Sequence, residues 1–299
     1  MTAGVLAARR EWAGWSFVAP ALIAIGLFFA LPTIAALFLS LTDFDIYALS
    51  DLRNLRFVGL DNYANLVERP LFWTAMRNTL WFVILGVPLT VAASLGAAML
   101  LNARTLRWKP LWRLALFAPF VTTLVATAVV WRYLLHTRYG LINYGLGILG
   151  IPPADWLGDP RASLPAILIF VVWKTFGYNM IIFLAALQTT SSDLYEAARI
   201  DGAGPWTRFR HVTLPAIGPT LLLVSILSIA GFFQLFAEPY VMTLGGPAQS
   251  TVTVLYFMFE EGFKWWNLGT ASAVAVILFL LIFLVTLVQL WVSRRADAA

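Results

Sequence analysis

Lys174 stands inside FVVWKTFGYNMII, part of an apolar run long enough to cross a bilayer. A lysine at the centre of a membrane-crossing helix costs about 2.5–3.5 kcal/mol on the insertion scale, so it tends to face protein or water. Thr175 is adjacent to it, and Tyr178 and Asn179 follow about one helical turn later. In a second apolar run Gln234 and Glu238 fall at i, i+4, which predicts one helical face, with Phe233 and Phe236 beside them. A sugar is held by side chains that hydrogen-bond its hydroxyls and by aromatic faces that cover its apolar side. These two runs supply both. The same residues also read as polar glue between helices, or as a Lys174–Glu238 ion pair.

Other chemistries lack their residues. There is no cysteine, which excludes disulfides, thiolate nucleophiles and cysteine-rich metal sites. His136 and His211 are far apart in sequence, on what the topology predicts to be opposite sides of the membrane, and read as interfacial polar residues rather than a metal pair. The chain has no G-x-x-x-x-G-K-[ST] phosphate loop, no G-x-S-x-G elbow and no H-E-x-x-H pair, so neither ATP binding of the usual kind nor hydrolase chemistry is expected of it. No cofactor is expected. The net charge of +5 comes without any basic–aromatic interleaving, so no nucleic-acid partner is expected either.

The elements that hold these residues follow from composition. Of 299 residues, 61% are hydrophobic and only 12% charged, about half the charge of a soluble domain. Six apolar runs reach the roughly 20 residues that a crossing helix takes, at about 16–41, 79–101, 111–135, 163–187, 216–240 and 268–293. The first follows Arg9 and Arg10 and is about 26 residues long, beyond the 7–15 of a signal peptide's apolar core, so a retained span is expected. Pro20 and Pro32 can kink it. The expectation is an all-α polytopic membrane protein with six transmembrane helices.

An even number of spans puts both ends on one side, and charge says which. Eleven bases fall on the side of the termini and of loops 102–110 and 188–215, among them Arg9, Arg10, Arg104, Arg107, Lys109, Arg113, Arg294 and Arg295. Eight fall on the other. The bias is sharpest in the short basic loop 102–110, where the positive-inside rule is most dependable, so both termini are expected in the cytoplasm. The organisation expected is a cytoplasmic N-terminus over 1–15, a membrane domain over 16–293 and a cytoplasmic tail over 294–299.

Between the fourth and fifth runs lies a polar cytoplasmic segment, 190–215, which includes EAARIDGAGPWTRFRHVTLP. Asp193 and Glu196, three apart, predict a helix start with Asp193 as cap and a helix from Leu194 to about Ile200. Ala197 and Ala198 would let that helix approach a partner surface closely. Gly202 supplies a positive φ at its end, Gly204 continues the break, and Pro205 suits the first position of a second helix to about Thr213. Trp206, Phe209 and Val212 recur at helical spacing and would pack that helix onto the membrane domain. Arg199, Arg208 and Arg210 could also meet anionic lipid headgroups.

The spacing E-A-A-x-x-D-G-A, then Phe209 and Leu214-Pro215, resembles the EAA loop of ABC importer permeases, in its sugar (maltose/glycerol-phosphate) branch. The segments FVGLDNY, Asn78-Thr79-Leu80, Gly140-Leu141-Ile142-Asn143, Trp156-Leu157-Gly158-Asp159-Pro160 and Leu244-Gly245-Gly246-Pro247 are similar to the outer loops of the same family. The resemblance implies that Glu196, Ala197, Ala198, Asp201, Gly202, Ala203, Gly204, Phe209 and Pro215 form or shape the surface on which an ATP-hydrolysing subunit docks. It further implies a bacterial inner-membrane location, two ATP-binding partner subunits, a second and different permease chain, and an extracytoplasmic sugar-binding protein. In that family the helices before and after the coupling loop carry substrate contacts, which points to Lys174, Thr175, Tyr178, Asn179, Phe233, Gln234 and Glu238. Gly231, Phe232 and Leu235 stand where the maltose-type pattern has amides. A glycerol-phosphate importer would use Lys174 on the phosphate. An ion-driven secondary transporter would instead need carboxylates in several spans, where Glu238 stands alone, and a membrane enzyme would need clustered acids, where Glu260-Glu261 lacks partners.

Overall fold

A computed structural model describes residues 15–103 and 105–298. Arg9, Arg10 and Arg104, all part of the charge reading, lie outside the described residues, as does the N-terminal segment through residue 14. Helix dominates, and among the described residues the strand-like pairing is a lone antiparallel bridge between Thr42 and Phe57. In chain order the main helices are α1 (Trp15–Leu39), α2 (Pro70–Asn102), α3 (Lys109–Val121), α4 (Leu124–Leu134) and α5 (Pro160–Thr189). They continue as α6 (Ser192–Ile200), α7 (Pro205–Ala216), α8 (Gly218–Phe233), α9 (Ala237–Met242) and α10 (Leu268–Ala298).

Four of these, α1, α2, α5 and α10, are long and apolar enough to cross a membrane. The third apolar run is broken instead of continuous, α3 and α4 meeting at 99°, while the fifth starts at a 74° bend between α7 and α8 and its helix stops at Phe233; up to six spans result when each bent pair is one span. The first break has a local cause. Thr122 and Thr123 both take extended backbone, and Pro119 one turn earlier has no N–H to continue the ladder. α2 begins at Pro70 rather than near residue 79, because proline suits a first helical position and the polar Arg77-Asn78-Thr79 continue the helix instead of ending a loop.

The chain divides into two compact units. The first takes residues up to Glu68 with Met258–Ile277. There the Asn62 amide donates to the carbonyls of Ser40 and Thr42, the Tyr63 hydroxyl to Ser40 Oγ, and Gly269 N–H to the Phe44 carbonyl. Burial pushes the Asp43 carboxyl up, but the backbone N–H, guanidinium and charge of Arg56 outweigh it and hold Asp43 below the usual carboxylate range.

The second unit, Arg69–Phe257 with the chain from Leu278, holds the main core. Two clusters build it: Phe82, Ile167, Phe170, Phe232 and Met242 in one, and Leu95, Ala98, Met180, Phe183, Ile217 and Val224 in the other. Lipid is as apolar as leucine, so close packing and hydrogen bonds hold membrane helices together more than burial does. Small residues accordingly sit where helices touch. A Cβ on Gly86 would enter the Phe232 ring, and one on Gly177 would meet the Leu116 carbonyl oxygen, backbone against backbone. Ser94 Oγ spans from α2 to the Phe176 carbonyl of α5 at 3.0 Å.

Candidate functional site

The polar segment between the fourth and fifth runs folds as a helix–turn–helix. Its cap differs from the expected one. Ser191 is the N-cap, accepting from Asp193 N–H at 3.2 Å, and Asp193 sits in the first turn, where a carboxylate favours the helix dipole. The motif's own residues close α6. Gly202 takes φ +76°, its N–H donates to the Arg199 carbonyl, and Ala203 N–H donates back to the Ala198 carbonyl at 2.9 Å. That pair of bonds is a Schellman closure, which needs the left-handed residue glycine supplies. Gly204 caps α7 and Pro205 opens it, as the spacing predicts. α7 runs on through a widened turn at Phe209–Thr213 to Ala216, past the expected Thr213, and Pro215 ends it while Gly218 opens α8.

Only part of the expected anchoring face packs down. Phe209 lies against the second core cluster, but Trp206 is 71% exposed, stacked near Phe209 with ring centroids 5.4 Å apart. Tyr195 hydroxyl and Thr213 hydroxyl, 3.1 Å apart, tie α6 to α7. Glu196, Ala197, Asp201 and Gly202 are exposed, while Ala198 and Ala203 are half-buried. Ile200, which the motif reading passed over, is 87% exposed and presents a branched apolar side chain beside Asp201. Its signal was an isoleucine in a segment with no other reason to expose one.

A second feature lies within the helices of the larger unit: a cavity of about 230 Å³. At liquid density that is room for about eight waters. Thr90 of α2, Phe120 of α3, Thr175, Tyr178 and Asn179 of α5, Ser228 of α8 and Glu238 of α9 line it. Asn179 Nδ2 donates to Ser228 Oγ at 3.1 Å, and Thr175 Oγ1 to the Val171 carbonyl. Phe120 stacks on Tyr178 at 4.7 Å and 21°. Thr90 is 1% exposed and its Oγ1 has no hydrogen-bond partner. Buried hydroxyls are nearly always bonded, so this one is an exception in the wall of a cavity whose lining is mostly apolar.

The expected pathway residues part company here. Thr175, Tyr178, Asn179 and Glu238 meet at the cavity. Gln234 and Glu238 do not share a helical face, because α8 ends at Phe233 and Gln234 through Phe236 are not helical; Gln234 is exposed and Phe233 is packed away. Lys174 does not line the cavity. Its Nζ donates to the carbonyls of Pro119 and Thr122 at 2.8 and 2.7 Å, and to Thr122 Oγ1 at 3.4 Å. Neither Thr90 nor Phe120 stood out in the sequence, since a threonine and a phenylalanine are ordinary in apolar runs.

The family-like outer-loop residues turn out to be staples. Asn78 Nδ2 donates to the Val252 carbonyl and Thr79 Oγ1 accepts from Val254 N–H. Asn143 bonds Thr137, Ala154 and the Trp156 indole around the helix Leu141–Ile148. His136 Nδ1 accepts from Arg138 N–H while the ring stacks on Tyr139, and His211 Nδ1 lies 3.0 Å from the Thr207 carbonyl, so each histidine has a local partner.

Comparison with known proteins covers the whole of this architecture. The family profile described as binding-protein-dependent transport system inner membrane component matches residues 1–298. The lactose transport system permease protein LacF of Rhizobium radiobacter is 36% identical over 287 residues, covering 94% of each chain. The sulfoquinovosyl glycerol transport system permease protein SmoG of Agrobacterium fabrum is 33% identical, covering 94% of this chain and 90% of its own. In fold, the chain is similar to one in the crystal structure of a bacterial alginate ABC transporter in complex with alginate pentasaccharide-bound periplasmic protein, with a TM-score of 0.81, 21% identity and 96% of each chain covered.

Proposed function

The chain belongs to the binding-protein-dependent transport system inner membrane components, the permease subunits of ABC importers that leave ATP hydrolysis to a separate partner, and on that premise we propose that it passes a sugar through the cavity at Thr90, Tyr178, Asn179 and Glu238. The observation that carries this reading is a cavity between the helices that offers an amide, a carboxylate and a stacked aromatic pair, groups able to hold a sugar's hydroxyls and cover its apolar side. The names of the relatives support the substrate class, lactose in one case and a sulfonated sugar glycerol in another. A phosphate solute has less to recommend it, because the ammonium that would bind phosphate is spent on backbone carbonyls.

In this reading an extracytoplasmic binding protein delivers the sugar, a second permease chain completes the pathway, and both termini face the cytoplasm. One of two ATPase subunits docks on the exposed face of α6, with Ile200 as the apolar contact and Glu196 and Asp201 at its rim, and the other on the second permease chain. ATP binding draws the ATPases together, moves α6 and α7, and turns the cavity outward; hydrolysis resets it. The test is uptake of labelled sugars by the assembled transporter in liposomes, supplied with its binding protein and internal ATP. Thr90→Val should lower uptake several-fold without loss of the ATPase from the complex, and Glu196→Lys should release the ATPase. A wild-type complex that hydrolyses ATP and carries none of the sugars sinks the sugar reading, and a chain that recruits no ATPase sinks the docking reading.

A further inference from the structure

We propose that Lys174 is a positioning residue: it pins the elbow between α3 and α4 and thereby sets the Phe120–Tyr178 wall of the cavity. This rests on the sugar-pathway reading and goes beyond it, because it assigns a role to a residue that does not touch the cavity.

Where a helix breaks, the carbonyls of its last turn lose their partners, and at membrane depth lipid offers none, so neighbouring protein groups or cavity water must replace them. At the α3–α4 elbow two such carbonyls, of Pro119 and Thr122, converge on one ammonium. Lys174 has three N–H donors, and the third is matched by Thr122 Oγ1 at 3.4 Å. The lysine comes from α5, more than 50 residues away in sequence, so the contact ties two helices together rather than capping one locally. Thr122 Oγ1 donates to Pro119 O at 2.7 Å and lies 3.0 Å from Thr127 Oγ1, so the elbow is hydrogen-bonded on both sides of the bend.

The consequence reaches the cavity through Phe120, which lies between the two pinned carbonyls. Its ring stacks on Tyr178, and Tyr178 follows Lys174 on α5 by four residues, hence on the same helical face. α5 thus grips the end of α3 twice on one face, by an ammonium and by a ring. One residue before Tyr178, Gly177 lets the backbones of α5 and α3 approach so closely that a Cβ would meet the Leu116 carbonyl. Releasing the ammonium frees the elbow, and with it the ring that walls the cavity.

The experiment measures sugar uptake and ATP hydrolysis together, in the assembled transporter reconstituted with its binding protein. Lys174→Met should lower the sugar carried per ATP about tenfold, a loss within the range found for contacting residues that act as a unit. Lys174→Arg, which keeps a cation with several donors, should recover most of the loss. The decisive comparison is Lys174→Met in a Phe120→Leu background. If Lys174 acts through the ring, the double variant is no worse than Phe120→Leu alone. Uptake and ATP hydrolysis falling in step, or a full additional loss in the double variant, overturns the proposal and leaves Lys174 as a general stabiliser. A wild-type complex that carries no sugar would fail earlier, at the function itself, so the two failures are told apart.

Discussion

The proposed docking segment and the cavity wall both depend on polar residues, yet they are built in opposite ways. In the segment, the bonds that shape α6 run between neighbours: Ser191 to Asp193, Ala203 to Ala198, Gly202 to Arg199. In the wall they run between helices far apart in sequence: Ser94 to Phe176, Lys174 to Pro119 and Thr122, Asn179 to Ser228. The segment leaves Ile200 and Glu196 open to a partner, whereas the wall turns its polar groups inward. Water solvates an exposed segment, so its polar groups need no mutual pairing. A wall inside lipid has no such recourse and must satisfy its groups across helices. A change in the segment should therefore disturb coupling and spare folding, whereas a change in the wall should act through helix packing and touch both stability and transport.

The largest effect expected is from Gly202→Asp. Nothing lies within 4 Å of a Cβ there, so the chain should still fold into the membrane. The residue sits at φ +76°, which costs a residue with a Cβ about 1–2 kcal/mol, and it adds a charge beside Asp201 on the docking face. Sugar uptake should drop to background while ATP hydrolysis continues. Gly202→Ala isolates the conformational part and should be milder. Uptake at the wild-type rate in Gly202→Asp would break the contrast.

Gly177→Ala should act the other way round. The α3 and α5 backbones must separate to admit the methyl, a strain of about 1–3 kcal/mol, which thermal unfolding in detergent will record as a lowered midpoint. An unchanged midpoint would mean the two backbones are not held where they stand. Smaller again is Asn179→Leu, which removes the bond to Ser228; polar contacts between membrane helices are worth about 0.6 kcal/mol on average, so the midpoint should fall slightly and sugar uptake more. Smallest is Tyr195→Phe. It deletes one part-buried hydrogen bond between α6 and α7, worth about 0.5 kcal/mol because Thr213 Oγ1 keeps the Arg208 carbonyl at 3.5 Å, and should weaken ATPase binding about twofold in a titration against the reconstituted permease. A loss larger than that of Gly202→Ala would make the tie, rather than the docking face, the sensitive part of the segment.

The sequence was legible where structure is local. Apolar length placed the four uninterrupted helices, and Gly202, Gly204 and Pro205 punctuate the docking segment where their backbone preferences place them. Its start was misassigned because Ser191 and Asp193 are both good caps, and the helix took the earlier one. Hydrophobic periodicity could not reveal the broken runs, since a helix that bends at Thr122 or ends at Phe233 keeps the same apolar composition on either side. Hence Gln234 was grouped with Glu238, and Trp206 with the packed Phe209.

By itself, then, the sequence determined that this is a helical membrane protein with a polar segment between its fourth and fifth runs closed by a glycine, because hydropathy and left-handed backbone are properties of a few consecutive residues. Only the tertiary structure decided what the buried polar residues do. Lys174 and Thr90 look alike in sequence, each a polar residue in an apolar run. One meets two carbonyls from another helix and the other meets a cavity, and which of them stays open depends on where α3 breaks and what α5 brings to the break.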